Sequence, residues 1–403
     1  MKVFKTVLTI LVVMALFWAI TGCEYDVVEP QWEQEHENPP SPTITQFDPP
    51  DVAGAGVNVI KIIGENFSPE IDRNKVYFNN VSVDILSASA SELVVRRPNI
   101  ITDEATIKVI SYDGLLIAEK SPYQITSVFD RFGSFIENIE ISSISIDKNN
   151  TLYVTYGGTD RQVLKVTPDG TITSLGISSR LVTDSRVEPN GNVILMMNNR
   201  TIMQWNVTTN EEAEWYQSGK RVSYGDFDSN KNFLGAGRRT GIVSISPAMD
   251  EIVNSYFTAD EITSLRVYNN AVYVIVNIAS PDENNPEWGI WRLPITDAIG
   301  TLGEPVLVLD WTQTEYAEST LNSMTFDADG TMYIANSSEQ PLLMYSPADG
   351  TIEPFYKDIL PSSATKIVWG NENDLFMVLA AESEQSVLVV EMGAPGAPYF
   401  GRQ

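Results

Sequence analysis

The sequence predicts an all-β protein, an immunoglobulin-like sandwich followed by a six-bladed β-propeller. Two observations carry that prediction. Between Ile141 and Gln403 one pattern recurs six times: a short apolar strand, an acidic or Asn/Gly-rich turn, an apolar-aromatic strand, then a further run ending in a turn. Equivalent apolar positions fall at Leu152, Val193, Phe233, Val272, Met332 and Leu375, spaced by 41, 40, 39, 60 and 43 residues. A period near 40 with several short strands per repeat is the signature of propeller blades. Upstream, residues 41–127 hold short alternating runs separated by turn residues, the pattern of a two-sheet sandwich.

Taken in chain order, residues 1–22 read as a targeting segment. Lys2 and Lys5 precede an apolar run from Val7 to Ile20, which is short for a membrane span and suits a signal-peptide core. The run ends Ala19-Ile20-Thr21-Gly22-Cys23, which resembles the bacterial lipobox. That resemblance implies cleavage before Cys23 and lipidation of its thiol. Cys23 is the chain's only cysteine, so no intrachain disulfide can form and the fold must rest on its core. Residues 23–40 are acidic, end in Pro39-Pro40 and lack periodicity, as an extended tether does. Acidic residues after such a cysteine resemble the surface-export signal of Bacteroidetes lipoproteins. The expected address is therefore the cell envelope, as a surface-exposed outer-membrane lipoprotein held to the membrane only through its lipid.

Residues 41–127 contain Pro42-Thr43-Ile44, Ile63-Gly64-Glu65-Asn66-Phe67 and Val76-Tyr77-Phe78. These elements closely resemble the IPT/TIG family, whose members act as spacers and interaction modules. Gly64 is expected at a turn before Asn66, where a side chain would obstruct the backbone. The remaining residues, 128–403, form the propeller and resemble the NHL and regucalcin-like six-bladed propellers in blade pattern. The fourth repeat is longer because two polar or Gly-containing inserts, Ser280–Pro286 and Thr296–Gly303, fall in its loops. Two segments compete for the outer strand of the last blade: Phe132–Phe135 and the tail Ala397–Phe400.

The one histidine, His36, lies in the tether, which removes Ser-His-Asp triads, Cys-His pairs and histidine-bound zinc from the folded body. A net charge of −27 argues against nucleic acid. What remains for an enzyme is carboxylate chemistry, with or without a hard cation such as calcium, and no catalytic residue or cofactor is assigned. Asp327-Ala328-Asp329-Gly330 lacks the later ligands of a calcium loop and reads as a blade turn.

Charge is unevenly spread. From Ile141 to Asp260 there are 11 Lys/Arg against 13 Asp/Glu; from Glu261 to Gln403 there are 5 against 20. Arg161, Arg180, Lys220, Arg221, Arg238 and Arg239 fall in expected inter-strand loops, which in a propeller converge around the axis. On one face they would form a cationic patch for a carboxylate or sulfate; the alternative is that they are solvated charges pairing with the acidic half. Trp288 is expected at the surface because Pro286, Glu287 and Gly289 read as loop, whereas Trp205 and Trp369 are expected in the inter-blade core. The resulting expectation is a lipid-anchored binding protein whose propeller head takes a glycan or an envelope protein. A propeller hydrolase or lyase and a structural scaffold are the alternatives.

Overall fold

The computed structural model describes residues 40–54, 59–112, 114, 116–136, 139–380 and 387–402, together with Thr6, Val7 and Ile10. The expectations for Cys23, the tether and nearly all of the targeting segment, and part of the run through Val57 and Asn58, lie outside the described residues.

The first unit packs two sheets face to face. One has the order Thr43–Asp48, Val59–Glu65, Glu92–Arg96, Ile85–Ala88; the other has Val52–Gly54, Ala118–Thr126, Thr102–Ser111, Asn74–Phe78, Val81–Val83. Strict alternation in Val59–Glu65 buries Ile60, Ile62 and Gly64 while Val59 and Lys61 face solvent. Ile60, Ile62, Val76, Phe78, Leu93, Val95, Ile107 and Val109 are fully enclosed between the sheets. Full burial of such a side chain is worth about 1.5–3 kcal/mol each. Tyr123 crosses this core, edge-on to Phe47 at 4.9 Å, and donates its hydroxyl to Pro49 O. Gly64 sits inside a strand rather than at a turn, paired with Ile44. A Cβ there would lie 1.9 Å from Thr43 O and 2.5 Å from Phe67 Cζ. The obstruction is therefore the backbone of the neighbouring strand and the Phe67 ring just past the end of its own strand.

The second unit is a closed ring of six four-stranded sheets. Their innermost strands are Ile141–Ile146, Asp184–Val187, Tyr224–Phe227, Glu261–Tyr268, Leu321–Phe326 and Ala364–Trp369, each beside the next and the sixth beside the first. All six positions of the sequence repeat lie on the second strand of a blade and are fully buried. The acidic turns of the first, third and fifth repeats have a local cause. Asp147 Oδ1 accepts from the backbone N–H of Asn149 and Thr151, and Asp228 Oδ1 from Asn230 and Asn232, all at 2.8 Å. Asp327 does the same for residues 329, 330 and 331, so it is a blade turn. Trp205 and Trp369 are buried between blades.

Ring closure corrects both expected candidates. The outer strand of the sixth blade is Phe129–Arg131, paired antiparallel with Val387–Glu391. Phe132–Phe135 lies just past it, and only Phe132 N–H continues the ladder, to Val387 O. The tail is used elsewhere: it folds back across the ring, where Gly396 bridges Asp327 and residues 400–402 form a single 3-10 turn over the axis. Closing the ring with a strand from its own start covers the edge of Val387–Glu391, which would otherwise invite pairing with another chain. Ile359, on the loop entering the sixth blade, packs against the cores of both units.

Candidate functional site

The ring has two faces. On one, each first strand turns into the second through the acidic turns; on the other, the second strand turns into the third and each blade passes to the next. The axis between them is filled. Asp226 on the third blade takes Arg266 Nη1 of the fourth blade and the Val267 N–H on one oxygen, and Phe227 N–H on the other. Arg186 of the second blade bonds Asp184 at 2.9 Å and lies 3.8 Å from Asp226. From the acidic-turn side the tail closes this network. The guanidinium carbons of Arg266 and Arg402 lie 3.5 and 4.5 Å from the Tyr399 ring centroid. The Tyr399 hydroxyl meets Thr325 Oγ1 at 3.1 Å and accepts from Trp369 N–H at 3.2 Å. Arg402 donates to the carbonyls of Trp369 and Gly370.

Electrostatics follow this burial. Burial alone would push the Arg186 pKa down, but Asp184 and Asp226 outweigh it and hold the guanidinium above its ordinary value. Burial opposes ionisation of Tyr399, yet Arg266, the Thr325 hydrogen bond and Arg186 together hold its hydroxyl below the usual phenol range. Burial brings Arg402 down to about 10, against the pull of Tyr399. From the opposite face Lys366 of the sixth blade reaches across to Thr183 O on the second and over the Tyr224 ring on the third. Burial pushes its ammonium below the ordinary value, with Asp184 opposing. Of the five cations counted in the acidic half, Arg266, Lys366 and Arg402 are thus spent on closing the axis.

An open site lies off the axis, on the face of the inter-blade loops. Between the second and third blades lies a cavity of about 530 Å³ whose rim carries Arg200, Lys220, Arg221, Arg238 and Arg239. Arg239 comes from the turn between second and third strands and Arg200 from the start of the third strand, Asn199–Asn206, whereas Lys220 and Arg221 sit at the end of the long strand Glu211–Val222 rather than in a loop. Arg239 holds a left-handed backbone, φ 56°, with its N–H bonded to Asp260 O at 2.7 Å. Thr240 forms the buried floor. Arg238 pairs with Glu261 at 3.5 Å in an exposed geometry. Among the described residues no ion pair engages Arg200, Lys220, Arg221 or Arg239. Glu251 is committed to Gly219 N–H and Asp260 to Ala279 N–H, which leaves cations in excess around the cavity.

Four of the sequence candidates, Lys220, Arg221, Arg238 and Arg239, therefore meet at one cavity. Arg161 and Arg180 lie on the same face between the first and second blades, outside its lining; Arg161 donates to Ser179 O at 2.6 Å. Trp288 is not a surface loop residue. It opens the strand Trp288–Pro294, pairs with Asn277, and is half-buried against the core of the fourth and fifth blades. Arg200 was missed by the sequence reading although a signal existed: Arg161, Arg200 and Arg239 are spaced by 39 residues, one per repeat, each near the start of a blade's third strand.

Residues 42–126 match the IPT/TIG domain family. No curated protein matches the chain. Among solved structures, a protein of unknown function from Bacteroides thetaiotaomicron is similar at 13% identity and a TM-score of 0.51, covering 87% of this chain and 98% of its own. A gluconolactonase from Xanthomonas campestris is similar at 11% identity and a TM-score of 0.50, over 72% of this chain and 91% of its own. An auxiliary nutrient binding protein from Bacteroides thetaiotaomicron has 12% identity and a TM-score of 0.49, over 87% and 97%. At these identities the likeness concerns the fold alone.

Proposed function

We propose that this chain is a lipid-anchored envelope binding protein, carried on Cys23 and an acidic tether, whose propeller head captures an extracellular anionic glycan on its loop face. The observation that carries this reading is the cavity between the second and third blades, where, among the described residues, four of five rim cations have no ion pair. Exposed guanidinium groups without anions are poised for carboxylate or sulfate, which they bind through planar, charge-assisted hydrogen bonds. The closed axis supports binding over hydrolysis. Its two carboxylates, Asp184 and Asp226, are tied to Arg186 and Arg266 and do not form an open acid pair. On this reading the IPT/TIG unit is a spacer that holds the head away from the membrane.

The test is binding of the purified protein to an array of carboxylated, sulfated and neutral glycans, with and without calcium, at low and high salt. Binding should be confined to anionic glycans and weaken as salt screens the exposed cations. Arg221→Ala with Arg239→Ala should weaken it at least about tenfold, consistent with loss of hydrogen bonds to charged groups worth about 1.5–3 kcal/mol each. Capture of neutral glycans only, untouched by these substitutions, would sink the reading.

A further inference from the structure

The cationic cavity has a neighbour. On the same face, between the third and fourth blades, lies a second cavity of about 280 Å³ lined by Phe257, Ala259, Asp260, Ile278, Ser280 and Asn285, among others. The two share a wall. Arg238 bridges Glu261, Ile262 N–H bonds Gly237 O, and Arg239 N–H bonds Asp260 O, so the turn bordering the first cavity is laced to the loop bordering the second. Arg239 lines the first and Asp260 the second.

The second cavity differs chemically from the first. Its floor is apolar: Ile278 is buried, and Phe257 is a part-exposed aromatic ring braced by Trp291 with centroids 5.6 Å apart. Its rim is polar: Asp260 accepts from Ala279 N–H, and the long insert of the fourth blade supplies Ser280 and Asn285, whose amide donates to Asp282. Phe257 adopts φ 57°, a left-handed conformation that is an outlier for a bulky side chain. Such a conformation persists only where the surroundings over-determine it, and it occurs disproportionately at binding positions. An apolar surface with a few fixed polar groups is the usual make-up of a small-molecule site. A sugar ring matches it, with one C–H face for Phe257 and hydroxyls for the rim.

We infer that the two cavities are consecutive subsites for one acidic oligosaccharide of at least two residues. Its carboxylate or sulfate sits among Arg200, Arg221 and Arg239, and the adjoining sugar ring packs on Phe257. This rests on the acidic-glycan reading above and adds to it a direction and a minimum length. The insert Ser280–Pro286, which lengthens only the fourth repeat, then has a role as the outer wall of the second subsite.

The experiment is calorimetric titration of the whole protein with two size series from one to six sugars, oligogalacturonates as the carboxylated arm and chondroitin sulfate fragments as the sulfated arm. In the wild type, affinity should rise about tenfold between one residue and the first fragment that spans both cavities, then level off. Phe257→Ala should remove that gain while leaving the shortest ligand's affinity unchanged, and Arg239→Gln should weaken every length. Ser280→Asp, an exposed substitution that spares the floor, should weaken only the longer fragments and covers the case in which Phe257→Ala fails to fold. Length-dependent affinity that survives both Phe257→Ala and Ser280→Asp would overturn the second subsite and leave the cationic cavity standing. Absence of binding by both arms at every length would overturn the acidic-glycan reading itself.

Discussion

Replacing Asp226 by alanine removes the anion that joins the third blade to the fourth across the axis. The carboxylate holds Arg266 Nη1, two backbone N–H groups at 2.9 Å, and the nearby Arg186 Nε at 3.8 Å. Both Asp226 and Arg266 are 1% exposed. Arg186 would keep its bond to Asp184. Arg266 would keep only two carbonyls, at 3.2 and 3.3 Å, and the face of Tyr399. Removing one member of a buried pair typically costs about 3–5 kcal/mol, because the remaining charge is stranded away from water. In a unit of this size each kcal/mol moves the melting temperature by about 2 °C, so a fall on the order of 6–10 °C is expected. The assay is thermal unfolding followed by tryptophan fluorescence. Every tryptophan between residues 41 and 403 lies in the propeller, so the signal reports that unit and not the sandwich. The double variant Asp226→Leu with Arg266→Met should lose less than Asp226→Ala alone, since it removes the stranded charge with its partner. A single variant melting within about 1 °C of the wild type would refute the argument that this pair locks the axis. So would a double variant worse than the single.

Three other outcomes follow from the same geometry. Gly64→Ala should destabilise the sandwich by at least about 2 kcal/mol, because its Cβ would meet Thr43 O at 1.9 Å and only backbone movement can relieve that contact; urea denaturation monitored by tyrosine fluorescence or far-UV dichroism reads it. Gly396→Ala should cost about 1–3 kcal/mol by overpacking, since the added carbon would lie 2.2 Å from Trp369 Cγ, and limited proteolysis should then cut the tail sooner. Lys366→Met should raise the melting temperature at pH 7. A lysine whose pKa is lowered in the folded state releases its proton on folding, so wild-type stability should rise with pH between that lowered value and the unfolded value near 10.5. The methionine variant should lose this rise, and an unchanged slope would count against the burial of the ammonium.

A stretch of about 40 residues encodes only what neighbours in the chain can settle among themselves. The alternation in Val59–Glu65 selects one buried face, Asp147, Asp228 and Asp327 cap their own turns, and the six recurrences of the strand pattern set the number of blades. Gly64 was legible as a position intolerant of a side chain, though the nearest obstructing atom, Thr43 O, belongs to a strand some twenty residues earlier. The long inserts of the fourth repeat were legible as loops because their composition excludes strands. Trp288 was misread because its neighbours Pro286 and Gly289 suggested a loop, whereas pairing with Asn277 draws it into the sheet. The rest required the closed ring. Phe129–Arg131 is a strand only because Val387–Glu391 offers it an edge. The tail became a plug because the axis presents carbonyls and a guanidinium to Tyr399 and Arg402. The rim cations split into a cluster around Arg221 and Arg239 and a separate pair, Arg161 and Arg180, according to which blades they border. These outcomes join residues distant in the chain, such as Lys366 and Thr183, which lie 183 positions apart. Local periodicity specifies strands and turns, but such meetings are fixed only when every blade has packed against its neighbours and the last has closed on the first.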